Sequence, residues 1–395
     1  MLRGTPFHSR TAPLCQSQDW RRWAGFLVAG SYELHHLHEY HAIRTACALI
    51  DVSPLFKYRI RGVDAERLCE RLVTRSVRSL AVGRVAYTPW CDEAGKVRDD
   101  GTLQRLAEKD FRLTAAEPNL RWLRMNGAGL DVEISDESEA IAALAIQGPL
   151  SRDVLGRAAQ ADTKRLRFFG LCEGAIAGCP VTITRTGYTG DLGYEIWLRA
   201  EDAETVWDAL IACGEDYGIT PAGLIALDLS RVEAGLILID VDYFPAHRAV
   251  IESRKSTPYE LGLGWTVSLD GADFLGRQAL VAESARGSEW NLRGIAVDWD
   301  ALEALFHGFG LPPELPGEAW RRSVPVYAGG QQVGYATSGC WSPVLKRNVA
   351  LAHLRAPWTA TETPVELEVT VEHQRHRVAA AVVDTPFFDP ERKRA

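Results

Sequence analysis

Val181-Thr182-Ile183-Thr184-Arg185, Thr186-Gly187-Tyr188-Thr189-Gly190-Asp191-Leu192-Gly193 and Tyr194-Glu195-Ile196-Trp197-Leu198 follow one another without a break, and the reading of this chain turns on them. The two outer segments alternate as strands do, and the middle is a turn rich in Thr, Tyr and Gly, so the spacing predicts a hairpin or a near relative of one. Its glycines follow G-x-x-G-x-x-G, whereas a dinucleotide loop carries G-x-G-x-x-G at the start of a helix. Spacing and position both argue against a phosphate cradle. From pattern alone a plain hairpin turn stays open.

Working outward, residues 142–146 form a short apolar strand that ends at Gly148-Pro149. Residues 87–115 alternate around Asp99-Asp100-Gly101, which places the acidic pair at a strand junction before Phe111-Arg112-Leu113 resumes the strand pattern. Lys57-Tyr58-Arg59-Ile60-Arg61-Gly62 reads as a strand with one wet face, and residues 64–73 as a helix. The spacing of Ile43, Cys47 and Ile50 predicts one helix over 32–50, leading into the turn Asp51-Val52-Ser53. Downstream, 201–213 and 221–235 read as helices, with acids in the first turn of the former and a closing glycine on the latter. Gly and Pro concentrate in 307–325, and the remainder, including Val365-Glu366-Leu367-Glu368-Val369, is rich in strands. Helices and strands mix without a βαβ rhythm, which predicts an α+β fold.

A length of 395 residues implies two or three packed units. The net charge of −8 argues against nucleic acid or an anionic membrane as the main partner, so a small molecule fits better. No apolar run approaches the roughly 18 residues of a membrane span, and the start lacks a signal-peptide core, so a cytoplasmic location is expected. The eight cysteines show no C-x-x-C spacing and read as core thiols, not as a zinc site or disulfide framework.

Two clusters invite chemistry. His35-His36-Leu37-His38-Glu39-Tyr40-His41 offers metal spacing, but His38 and His41 fall opposite the face of Ile43, Cys47 and Ile50, so a surface role without metal is expected. Asp99 and Asp100 are the best acid/base candidates. On extended backbone their carboxylates point to opposite faces, so one can be buried while the other is solvated, and desolvation would raise a carboxyl pKa towards neutral. A solvated turn is the alternative.

Taken in order, these segments resemble the aminomethyltransferase (glycine cleavage T-protein) superfamily over nearly the whole chain. Thr5-Pro6-Phe7 is similar to the family's start, and Ala42-Ile43-Arg44 with Asp51-Val52-Ser53 resembles its H-A-V-R…D-V-S-H-M passage. Gly95 to Asp100 looks like G-G-x-x-D-D, and Thr186 to Ile196 like T-G-Y-T-G-E-x-G-x-E-I. Arg231-Val232-Glu233-Ala234-Gly235, Gly262-Leu263-Gly264-Trp265, Asp273-Phe274-Leu275-Gly276-Arg277 and Thr337-Ser338-Gly339-Cys340-Trp341-Ser342-Pro343 complete the set. The resemblance implies a three-lobed fold, with residues 1–288 forming two interleaved α+β lobes and 289–395 a β-rich, barrel-like domain. It implies tetrahydrofolate as cofactor, with Asp100 beside the reacting N5 as catalytic residue. Glu195 would hold the pterin by paired hydrogen bonds, and Tyr188, Tyr87, Leu55 and Arg231 would contribute to its binding.

The departures from the family's pattern bear on the substrate. Asp51-Val52-Ser53-Pro54-Leu55 replaces D-V-S-H-M, Ala116 stands near the family's asparagine, and Leu227 replaces a folate-contacting arginine. These changes argue against docking of a lipoyl carrier protein. They favour the branch that demethylates small N-, S- or O-methyl compounds and yields 5-methyl-tetrahydrofolate, with Trp90, Trp341 and Tyr32 as candidate substrate contacts. For an ether substrate, Tyr32, Tyr188 and Tyr243 are candidate proton donors. Aminomethyl transfer yielding 5,10-methylene-tetrahydrofolate is one alternative, and a non-catalytic folate-binding accessory protein is another.

Overall fold

The computed structural model describes residues 2–395. Two sheets interleave along the chain. The first has seven strands, in the order Ala159–Gln160, Leu171–Ile176, Cys179–Thr184, Gly193–Arg199, Ile141–Gln147, Cys47–Asp51 and Ile219–Pro221. The second has five, in the order Arg84–Cys91, Val97–Ala107, Asp110–Ala115, Phe56–Arg61 and Glu133–Asp136. The chain crosses between them only at 52–55 and again at 137–140, so the loop containing Pro54 and Leu55 lies where the two sheets meet.

The expected helix over 32–50 is corrected. Helix occupies only Leu37–Thr45, and Cys47–Asp51 is a strand, fully buried, paired antiparallel to Ile141–Gln147 and parallel to Ile219–Pro221. A strand flanked on both edges and covered on both faces reads as a continuous apolar run, which helical spacing mimics over a few residues. The wet face expected of Phe56–Arg61 is present only towards its end, where Arg59 is half-buried and Arg61 exposed. Lys57 is fully buried, its amine donates to the Ser53 carbonyl at 2.6 Å, and burial pulls its pKa down to about 7.

The hairpin is present, with Thr184 opposite Glu195 and Val181 opposite Leu198. Helices Ala203–Gly214 and Leu224–Glu233 follow, the first packing Val206, Trp207 and Leu210 into the core beneath the larger sheet. After helix Arg277–Arg286, six strands from Trp290–Val297 to Gln374–Val383 close into a barrel, filled by Ile295, Val326, Ala336, Leu354 and Val382. The fold is thus mixed α and β with a C-terminal six-stranded barrel domain. All eight cysteines are free, five of them buried. Among the described residues, no helix is long and apolar enough to cross a membrane.

Candidate active site

Asp99 and Asp100 lie within the strand Val97–Ala107 and not at its junction. Strand alternation sends them to opposite sides, as their adjacency requires. Asp99 is fully buried. One of its oxygens accepts the Asp100 amide at 2.8 Å, and the other accepts the Glu117 amide at 3.0 Å and Asn119 Nδ2 at 2.7 Å. It anchors the strand to the loop that follows Asp110–Ala115.

Asp100 is half-buried and faces the other way. Tyr87, from the neighbouring strand, donates its phenol to Oδ2 at 2.8 Å, and Tyr243 donates to Oδ1. In the register Pro89 is opposite Asp100, so Tyr87 is its diagonal neighbour, within reach of a long side chain. Tyr243 arrives on the segment after helix Leu224–Glu233, which is pinned to Val97 by bonds from Val97 N to Ser256 O and from Ala246 N to Val97 O, both 2.8 Å. Burial raises the pKa of Asp100, and the two phenols oppose that rise. A carboxylate in this setting is a proton acceptor of increased affinity with a fixed orientation.

The turn of 185–192 wraps around one side chain. Gln147, at the end of the strand Ile141–Gln147, accepts from Thr189 Oγ1 at 2.7 Å and donates to the carbonyls of Thr186 and Tyr194, both at 3.3 Å. A Cβ at Gly187 or Gly193 would come within 2.1 or 2.3 Å of that amide, so only glycine allows the turn to close on it. At the middle of the turn Gly190 has φ of +74°. This geometry presents Tyr188, whose phenol donates to the Ile237 carbonyl, and leaves Glu195 half-buried, with Oε2 accepting from Thr186 at 2.6 Å. Asp100 is near enough to Tyr188 to contribute to the rise of its pKa, and Leu55 packs in the same cluster as Tyr188. Burial raises the pKa of Glu195, opposed only by threonine hydroxyls, so the carboxylate gains from N–H donors brought by a ligand.

Arg231 is fully buried and mostly committed within the protein. It pairs with Asp228 at 2.7 Å and with Asp242, and donates to Ser338 Oγ at 3.2 Å, leaving Nη2 buried without a partner. Of the residues expected around a folate, Asp100, Tyr87 and Tyr188 are brought together, with Leu55 packed on the same core cluster as Tyr188 and Glu195 at the root of the same turn.

Of the three aromatic residues expected to touch substrate, Trp90 and Tyr32 are buried and Trp341 is half-buried. Trp90 is fully enclosed in the core of its lobe, stacked on Trp122 and donating to Asn119 Oδ1 at 3.4 Å, so it supports Asp99 from behind and offers no face to a ligand. Tyr32 is buried in a small N-terminal cluster with Cys15 and Ala29. Trp341 is half-buried in the barrel domain against Trp299. His38 and His41 are exposed, and among the described residues no group of three or more His, Cys, Asp or Glu side chains could hold a metal ion. Glu39, from the same stretch, is buried and accepts the amides of Tyr32, Glu33 and Gly223. A surface cavity of about 540 Å³ lined by Arg67, Arg71, Arg78 and Arg277 includes none of the Asp100 group.

Residues 7–271 match the GCVT N-terminal domain, and 309–389 match the glycine cleavage T-protein C-terminal barrel domain. Among curated relatives, a trimethylamine-oxide aldolase of Ruegeria pomeroyi is 34% identical over 409 residues, covering 100% of this chain; the chain spans only 48% of that protein's length. An aminomethyltransferase of Bacillus cytotoxicus is 35% identical over 356 residues, 89% of both chains. The solved glycine cleavage system aminomethyltransferase T from Bartonella henselae has the same fold, with a TM-score of 0.82 at 24% identity over 98% of this chain and 99% of that one.

Proposed function

Because the chain belongs to the glycine cleavage T-protein family, we propose that it is a tetrahydrofolate-dependent one-carbon transferase that demethylates a small methylated compound to give 5-methyl-tetrahydrofolate. The observation that carries this reading is Asp100, a half-buried carboxylate gripped by the phenols of Tyr87 and Tyr243 beside Tyr188. Glu195 fits the same ligand, because a half-buried carboxylate with only hydroxyl donors suits the N–H groups along a reduced pterin's edge.

When bound, tetrahydrofolate would supply a secondary amine that takes up the one-carbon unit. Asp100 then orients that nitrogen and receives its proton. The two phenols favour the ionised carboxylate against the effect of burial and fix its orientation. Much of the rate effect comes from this positioning.

The same phenols bear on the leaving group. A sulfonium or quaternary ammonium donor departs neutral, whereas an ether oxygen needs a proton. The hydroxyls of Tyr87 and Tyr243 are engaged as hydrogen-bond donors to Asp100, and that of Tyr188 as a donor to the Ile237 carbonyl. These bonds favour an N- or S-methyl donor over an O-methyl one. The departures at Pro54, Leu55, Ala116 and Leu227 further favour a free small molecule over a lipoyl-borne group. The Ruegeria pomeroyi relative, whose name carries a methylated amine oxide, is in keeping with this choice. The Bacillus relative favours a second reading, aminomethyl transfer giving 5,10-methylene-tetrahydrofolate.

Incubation with tetrahydrofolate and a panel of methylated amines, sulfonium compounds and aryl ethers tests the proposal through the folate product. Formation of 5-methyl-tetrahydrofolate supports demethylation, and 5,10-methylene-tetrahydrofolate supports the second reading. Folate bound without turnover of any donor would reduce the protein to a folate-binding accessory, and absence of folate binding would overturn all three.

A further inference from the structure

The strand that carries Asp100 continues into buried polar side chains that the mechanism does not use. Leu103, Phe111 and Leu113 supply the apolar core on one face of the five-stranded sheet. Alternation puts Asp100, Thr102 and Gln104 on the other face, and the register sets Arg112 opposite Gln104 and Lys57 opposite Thr114. Thr102 and Thr114 share a hydrogen bond between their hydroxyls at 2.8 Å. Exposure falls along the row. Asp100 and Thr102 are half-buried, Gln104 is fully buried and Arg112 is only 5% exposed.

At the inner end of the row, hydrogen bonding and charge are left incomplete. Arg112 Nη1 donates to Gln104 Oε1 at 3.4 Å, while Nε stands 3.6 Å from Glu137 Oε2, too far for a hydrogen bond. Gln104 Nε2, Arg112 Nε and Glu137 Oε2 are all buried without a hydrogen-bond partner. Buried polar atoms of this kind are met by water or a ligand, because leaving them bare is costly. The neighbouring cations add to the demand for an anion. Arg59 is matched by Asp110, but Lys57 has only the carbonyls of Ser53 and Ser138 as acceptors, with Asp51 and Asp136 acting on it from farther away. Burial weighs against the Arg112 charge more than Glu137 offsets it.

This chemistry selects a donor. A free guanidinium N–H beside a free amide N–H suits a carboxylate, whose two oxygens can accept both. Four residues along the strand separate Asp100 from Gln104, about 13 Å between α-carbons, and the side chains take up part of that span, so the acid must be short. We propose that Arg112 and Gln104 anchor the methyl donor by a carboxylate, so that the substrate is a short zwitterion whose methylated ammonium or sulfonium is turned towards Asp100. The cationic end then lies beside the Asp100 carboxylate, its electrostatic complement. This rests on the demethylation reading above and names its substrate class. Arg112 and Gln104 act on specificity and positioning, away from the methyl group that moves.

Initial rates of the full chain at saturating tetrahydrofolate, with two matched pairs of donors, test this. Glycine betaine and choline share a trimethylammonium group and differ in the carboxylate, and dimethylsulfonioacetate and trimethylsulfonium differ likewise. The carboxylated member of at least one pair should exceed its partner at least about 10-fold in kcat/KM, the scale of one charge-assisted hydrogen bond. Arg112→Gln should raise KM for that donor at least about 10-fold while kcat and tetrahydrofolate affinity stay within twofold of the wild type, and Arg112→Lys should recover part of the loss. Equal use of both members of each pair, or a KM unmoved in Arg112→Gln, would overturn the inference and leave the folate reading standing. Folate binding without turnover of either carboxylated donor would do the same. Loss of tetrahydrofolate binding in Arg112→Gln would also overturn it, since that reports damage to the fold and not recognition of the donor. A wild type that binds no tetrahydrofolate would remove the folate reading and this inference together.

Discussion

Asp100 is under opposed influences: burial raises its pKa while the phenols of Tyr87 and Tyr243 lower it. If the ionised form accepts the proton, the acid limb of kcat/KM against pH reports this group. Tyr243→Phe removes one donor to the carboxylate, so its pKa rises further and the acid limb should move to higher pH. A profile superimposable on that of the wild type would show that the Tyr243 bond does not govern the reacting group. At this scale the sequence was partly legible. Adjacency of Asp99 and Asp100 on extended backbone already meant opposite faces, and the buried and half-buried outcomes follow. What it could not show was Tyr243 on Asp100, 143 residues away, or Asn119 on Asp99. The buried Trp90 and Tyr32 show the converse. An aromatic residue near a motif in sequence carries no signal of whether tertiary packing turns its face inward or towards a ligand.

Among the elements, the hairpin from Cys179 to Arg199 was legible because strand alternation and turn glycines agree. The helix over 32–50 was misjudged past Thr45, where burial on both faces replaces amphipathic spacing. The role of Gln147 was invisible, since the glycines report that something approaches closely without saying what. Within this turn Gly190→Ala is the informative change. It forces a side chain onto a φ of +74° and brings its Cβ within 2.4 Å of that of Ala234. The variant should lose at least about 1 kcal/mol in thermal or chemical denaturation, and bind folate more weakly because Tyr188 and Glu195 flank the turn. A wild-type melting temperature with unchanged folate affinity would show that the turn tolerates displacement.

Across the molecule, buried charges join the lobes to the barrel. Glu233, at the end of helix Leu224–Glu233, receives Tyr40 at 2.6 Å and Arg44 at 2.6 Å from one side, and Ser342 of the barrel from the other. Arg231 and Ser338 meet at Asp242, where Thr337 also donates. Arg231→Met leaves Asp228 and Asp242 buried beside no charge from residue 231, and should destabilise the protein by at least about 3 kcal/mol, measured by denaturant unfolding. A smaller loss would mean that water or Arg321, 2.7 Å from Asp228, takes over. The division into an α+β region and a strand-rich end was legible from composition and the positions of Gly and Pro, whereas the closing of six strands into a barrel depends on pairings between distant segments. The most direct test of the account is Asp100→Asn, assayed for tetrahydrofolate affinity and turnover on the same sample. The account predicts that folate remains bound while turnover falls at least about 100-fold, the scale of lost acid/base help; turnover equal to that of the wild type would contradict it.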